Sequence, residues 1–161
     1  MRTKICGIRN ESDLAIALEA GADAIGLICG INHRSEDEVT PEVARRLTEA
    51  APPFVSTVLV THRDTPESIL DLADRTGVNT IQVHGIVTLE TLRQVKARAD
   101  SRKVLRAVHV SGEEAIETVN NDPRFQICIM DMRLPGINGQ EAIFALHARH
   151  PDLLFLIHTG T

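Results

Sequence analysis

Three residues at the ends of short apolar runs have side chains able to move protons. Cys6 closes the run Lys4-Ile5-Cys6 and is followed by Gly7. Asp131 closes QICIMD at 126–131, and His84 closes the run at 81–84. A thiol delivered to a strand end in a strand–helix repeat stands where α/β folds collect their chemistry, and as a thiolate it is a base. Plainer readings compete. Free cysteine is most often a small buried hydrophobe, and His84 can be a satisfied strand-end polar group. Asp131 at a strand end is read as more than a solvated charge.

Other residues of similar type are set aside. Cys29 and Cys128 fall inside strands and are read as core. The three cysteines form an odd set with no CxxC or other metal spacing, which fits reduced thiols in a cytoplasmic compartment. His33, His62, His109 and His158 all fall near predicted strand ends. Spacing between strands is not ligand geometry, so no metal is assigned. Glu36, Asp37 and Glu38 read as a solvated loop.

The elements that position these residues come from a periodicity that switches between two and 3.6. Strands are predicted at 3–8, 23–29, 54–60, 79–83, 103–109, 126–131 and 153–158. Helices are predicted at 11–20, from Thr40 onward, and at 66–76, 88–99, 112–120 and 139–149. Thr40-Pro41-Glu42 and Thr65-Pro66-Glu67 open helices with a cap followed by proline at the first helical position. Leu14, Ala17, Leu18, Val43, Ala44 and Leu47 should face the core. Near-continuous apolar strands alternating with amphipathic helices indicate a buried parallel sheet. Seven strands fall short of an eight-unit barrel, so the expected α/β fold is TIM-barrel-like but incomplete, or else doubly wound.

Composition bounds the partners. The 161 residues suit a single domain, 1–161, and 43% hydrophobic with 24% charged residues is ordinary for a globular chain. With no tryptophan or tyrosine and only 4 phenylalanines, there are few platforms for stacking bases. A net charge of −5 also disfavours polyanions, so no nucleic-acid partner is expected. No run approaches the roughly 18–20 apolar residues of a membrane span, nor does a secretory signal appear.

Several ordered motifs carry a resemblance. KICGI at 4–8, EAGADAIGLI at 19–28, VTPEVARRL at 39–47, PPFV at 52–55, IQVHG at 81–85 and VLRAVHV at 104–110 make residues 1–122 resemble phosphoribosylanthranilate isomerase. That family is a TIM-barrel enzyme of tryptophan biosynthesis that converts an aminoaldose to an aminoketose. The resemblance implies Cys6 as general base and Asp131 as general acid, on a phosphorylated small molecule and without a cofactor. It also implies Gln82 and His84 as pocket residues of strand four and Arg106 as a basic residue of strand five. Arg34 stands in for an arginine that holds the anthranilate carboxylate, although an acidic stretch occupies the family's usual position. Phosphate binding after strands seven and eight is represented by His158-Thr159-Gly160-Thr161, which makes Gly160 a candidate.

Residues 125–161 are also similar to a response-regulator receiver. The stretch Asp131-Met132-Arg133-Leu134-Pro135-Gly136 matches the phosphoacceptor loop, with Thr159 as the strand-four hydroxyl. No acidic pair follows the first strand to hold Mg²⁺. A hybrid joined near 120–126 is therefore one expectation, with a phosphoacceptor module or a non-catalytic scaffold as alternatives to the isomerase. An open sheet edge would also invite self-association.

Overall fold

The computed structural model describes residues 3–107, 112–121, 127–131, 139–152 and 154–158. Its elements alternate in the predicted order, each helix lying between two strands. They are β1 Lys4–Cys6, α1 Glu11–Glu19, β2 Ala24–Ile28, α2 Pro41–Ala50, β3 Ser56–Thr61, α3 Pro66–Thr76 and β4 Thr80–Val83. The series continues with α4 Leu89–Arg98, β5 Lys103–Arg106, α5 Gly112–Asn121, β6 Ile127–Asp131, α6 Gly139–Arg149 and β7 Leu154–His158. Among the described residues no helix is long and apolar enough to cross a membrane.

Helix starts follow from local chemistry. The Thr40, Thr65 and Thr88 hydroxyls accept the backbone N–H groups of Val43, Ser68 and Thr91 at 3.3, 3.3 and 3.1 Å. Asn10 caps α1 in the same way, accepting from the Asp13 N–H at 2.9 Å. Each cap satisfies one of the donors a helix start leaves open. Pro41 and Pro66 occupy the first helical position, where a missing N–H costs nothing.

The chain divides into two compact units, Arg2–Ala107 and Val108–Thr161 with Met1. In the first, five parallel strands lie in the order β1-β2-β3-β4-β5. In the second, β6 and β7 pair in parallel, with Asp131 opposite His158. Within each sheet the strands are thus parallel, as expected of an incomplete TIM-barrel-like fold, and among the described residues they form a five-stranded and a two-stranded sheet.

Strand register divides the first sheet into two faces. Ile25, Leu27, Leu59, Ile81 and Val83 are fully buried on one face, against Leu14, Ala17, Ala44, Leu47, Ile69, Ala73 and Val95 of the helices. Leu18 and Val43 pack at the margin of this core. The opposite face carries Lys4, Cys6, Gly26, Val58, Val60 and Gln82.

Successive helices are laced by ion pairs that repeat with the fold. Glu11 pairs with Arg46, Glu42 with Arg75 and Glu67 with Arg98, at 3.7, 3.0 and 2.7 Å. In each pair an acid at the start of one helix meets an arginine of the next helix, favourable for the helix dipole. The Glu42 carboxyl is held below its usual range by its own backbone N–H, then by Arg75 and Thr40. Glu67 is held low by Arg98 and its own N–H. These groups are exposed, so each pair adds little. Their sign is still definite. Acids with lowered folded values contribute stability above the ordinary glutamate value of 4.5, and lose it as pH falls through the folded value. The urea midpoint should therefore drop between pH 5 and pH 3, and the drop should be smaller in Glu42→Gln/Glu67→Gln.

Candidate active site

Lys4 and Cys6 are two residues apart on β1, so both side chains lie on the face turned away from the helices. Cys6 is exposed there. Its Cα partner on β2 is Gly26, and a Cβ at Gly26 would run into Cys6 Sγ, with the Cys6 Cα at 3.1 Å and Cβ at 3.2 Å. Glycine in mid-strand is thus required by the thiol beside it. The chain leaving Cys6 is fixed by the same residue. The Gly26 carbonyl accepts from Gly7 N–H at 3.0 Å and Ile8 N–H at 3.3 Å.

A polar chain runs from the thiol across the sheet. The Lys4 ammonium donates to Cys6 Sγ at 2.9 Å and to Gln82 Oε1 at 2.8 Å. Gln82 is only 2% exposed, and its Nε2 lies 3.3 Å from His84 Nδ1. An ammonium has only donors, so Oε1 must face Lys4 and the amide must donate to His84. His84 Nδ1 then accepts, and the ring proton is on Nε2.

His84 heads a column of imidazoles at the ends of β2, β3 and β4. Its ring stacks on His62 with centroids 5.2 Å apart and planes at 16°, and His33 lies 5.2 Å beyond His62 at 40°. Asn32 Oδ1 lies 2.8 Å from His62 Nδ1 and 3.3 Å from His33 Nδ1. Gly85 permits the stack, since a Cβ there would meet the His62 carbonyl oxygen at 2.9 Å. Among the described residues no three His, Cys, Asp or Glu side chains gather as a metal-ligand set.

The acidic run is more than a solvated loop. Glu38 accepts from Gly30 N–H at 3.1 Å and Ile31 N–H at 3.2 Å, and its backbone bridges to Ile28. Those amides would otherwise be unpaired at the end of β2, which is why a carboxylate is bound there. Asp37 lies 3.9 Å from Arg9, whose stronger partner is Asp13 at 3.0 Å. That pairing lowers the Asp13 carboxyl from its usual range.

Arg34 is exposed in the same loop. Arg106 is not brought to the Cys6 face. Its Cα partner is Val83, a core residue, so strand alternation gives Leu105, and not Arg106, the side shared with Gln82. Asp131 ends β6, and only its backbone is described. Cys128 lies in β6 likewise, whereas His109, Pro135, Gly136, Thr159 and Gly160 lie outside the described residues. Cys29 is 2% exposed, as a core thiol should be, and burial followed by the Glu38 charge pushes its thiol up to about 11. A cavity of about 320 Å³ bounded by Cys29, Glu38, Arg63 and Arg75 is separate, with none of Lys4, Cys6, Gln82 or His84 in its lining.

Sequence reasoning gave no role to Lys4, Gly26 or Asn32. Signals existed for two of them. Lys4 precedes Cys6 by two residues, and Gly26 is an isolated glycine in an apolar strand. Asn32 joins its two histidines through loop geometry that spacing does not show.

A parallel α/β repeat of barrel strand order, with a thiol and polar groups at the carboxyl ends of its strands, defines a TIM-barrel-like enzyme scaffold. The family model described as N-(5'phosphoribosyl)anthranilate (PRA) isomerase matches residues 3–141. The chain belongs to that family. It is 35% identical over 119 residues to N-(5'-phosphoribosyl)anthranilate isomerase 2 of Methanosarcina mazei, covering 74% of this chain and 53% of that protein. It is 37% identical over 144 residues to the Thermotoga maritima isomerase, covering 89% and 67%. The chain thus spans between half and about two thirds of the length of these relatives. The crystal structure of phosphoribosyl anthranilate isomerase from T. maritima aligns over 100% of this chain and 78% of its own, with a TM-score of 0.74 and 30% identity. A phosphoribosyl anthranilate isomerase in complex with reduced 1-(o-carboxyphenylamino)-1-deoxyribulose 5-phosphate aligns over 98% and 87%, with a TM-score of 0.71 and 28% identity. The family match includes residues 120–126, where the sequence suggested a joint.

Two outcomes follow from the placement of the thiols. Brief alkylation with iodoacetamide at pH 7.5, read by peptide mass, should label Cys6 and leave Cys29 unmodified until the protein is unfolded. Gly26→Ala should displace the Cys6 side chain and change its labelling rate several-fold, while the far-UV circular dichroism spectrum stays that of a folded α/β protein.

Proposed function

We propose that this protein isomerises N-(5'-phosphoribosyl)anthranilate, an aminoaldose, to the corresponding 1-amino-1-deoxyribulose 5-phosphate. The observation that carries the reading is the exposed Cys6 thiol at the carboxyl end of β1, within 2.9 Å of an ammonium, in a chain of this family. The ligand held by the related structure is a reduced form of such a product, which supports a phosphorylated small molecule as the substrate class.

In this mechanism Asp131 protonates the furanose ring oxygen as the C1–O bond breaks and the nitrogen lone pair forms the C1=N bond. The Cys6 thiolate then takes the C2 proton, and the enolamine that results tautomerises to the ketone. The enolamine takes a proton at C1 as its O2–H proton leaves. Proton exchange with water returns the Cys6 thiol to thiolate and Asp131 to its acid form, and the isomerisation needs no external oxidant or reductant. General acid and general base catalysis each contribute about 10²–10⁴-fold. His84, Arg34 and Gly160 are assigned to substrate binding. Arg106 leaves that set because of its face. Self-association through an edge strand belongs to the same proposal, and a T. maritima relative is described as dimeric.

The receiver-like motif around Asp131 is read within this scheme as a strand-end acid. The family match to residues 3–141 includes that aspartate and the suggested joint, which favours one descent for this stretch over two. The test is turnover. The pure full chain should consume phosphoribosylanthranilate, followed by loss of its fluorescence, and Cys6→Ala and Asp131→Asn should each lower kcat by about 10³-fold. No turnover, or turnover unchanged in Cys6→Ala, would overturn the assignment.

A further inference from the structure

We propose that Lys4 and Gln82 are positioning residues for the Cys6 thiol, the buried Gln82 amide holding the Lys4 ammonium against Sγ. The inference rests on the reading of Cys6 as the base, and it extends that reading to Lys4, which had no role, and to Gln82, which the resemblance implies as a pocket residue.

Gln82 is out of place by hydropathy. Its row across the sheet reads Ile28, Val60, Gln82 and Leu105, and the other three side chains are apolar. An amide buried to 2% exposure in such a row is costly unless both ends are hydrogen-bonded. Both ends are: Oε1 accepts from Lys4 at 2.8 Å, and Nε2 faces His84 Nδ1 at 3.3 Å. The amide is therefore satisfied within the protein, and its visible purpose is to hold the ammonium.

Lys4 needs such an anchor. A lysine side chain on an edge strand samples many rotamers, and one contact to a sulfur is a weak restraint. The second hydrogen bond fixes the chain end between Cys6 and Gln82. Among the described residues Lys4 makes no ion pair with a carboxylate, so its charge is directed at the thiol. His84 sets the direction of the whole arrangement. Only while its Nδ1 accepts does the amide present oxygen to Lys4, because a flipped amide would turn its own donors toward the ammonium.

The test needs no substrate, so it stands or falls separately from turnover. Alkylation of Cys6 in the full chain at pH 7 is followed by peptide mass with iodoacetamide, which is neutral, and iodoacetate, which is anionic. Lys4→Met should slow the neutral reagent about tenfold, through loss of the group held against Sγ, and the anionic reagent more. Lys4→Arg should recover part of the rate. Gln82→Met, which suits the apolar row, should slow both reagents. The double variant should be no slower than Lys4→Met alone, because Gln82 acts through Lys4. Protection of Cys29 in each variant confirms that it is folded. Wild-type rates in Lys4→Met, equal slowing of the two reagents, or independent multiplicative effects of the two substitutions would each overturn the proposal.

Discussion

The close approach of β1 to Gly26 is the contact on which the site depends. A parallel pair of strands places Cys6 directly across from a residue of β2, and only glycine leaves room for the thiol there. The same Gly26 carbonyl receives the two amides that follow Cys6, so one residue sets both the position of the sulfur and the direction of the chain beyond it. Strand alternation then determines the rest. Lys4 shares the face of Cys6, and Gln82 on β4 and His84 just beyond it follow with the parity of that face.

The scaffold around this contact is built from repeated local solutions. A threonine cap with proline after it starts two of the helices, and the apolar face of each buries against one side of the sheet. With the helix side closed by leucine, isoleucine and valine, the other side is left for polar side chains at the strand ends. The loop after β2 is fastened by Glu38 to backbone amides, and the histidine column stands on the ends of β2, β3 and β4. Burial and polar satisfaction divide the sheet into a structural face and a chemical one.

Most of the fold was legible because strands and helices write their periods directly into the chain. The capped starts at Thr40 and Thr65, the core positions Leu14, Ala17, Ala44 and Leu47, and the burial of Cys29 all follow from local pattern. The site was legible in part. Cys6, Gln82 and His84 are marked by short motifs, but the link between them passes through Lys4, whose role depends on a partner 78 residues away. Arg106 shows the converse. A basic residue at a strand end looks suitable in sequence, yet which face it takes is decided by register with β4. Glu38 is exposed, as its loop position suggested, but nothing in the sequence marks the Gly30 and Ile31 amides that it binds.

Under the proposed function the Cys6 face is where substrate meets the protein, and protection of the thiol tests that most directly. Cys6 alkylation is measured against rising concentrations of reduced 1-(o-carboxyphenylamino)-1-deoxyribulose 5-phosphate. Saturable protection of Cys6 is expected, lost in His84→Ala, with Cys29 unlabelled throughout. Labelling of Cys6 at an unchanged rate at every concentration of the ligand would contradict it.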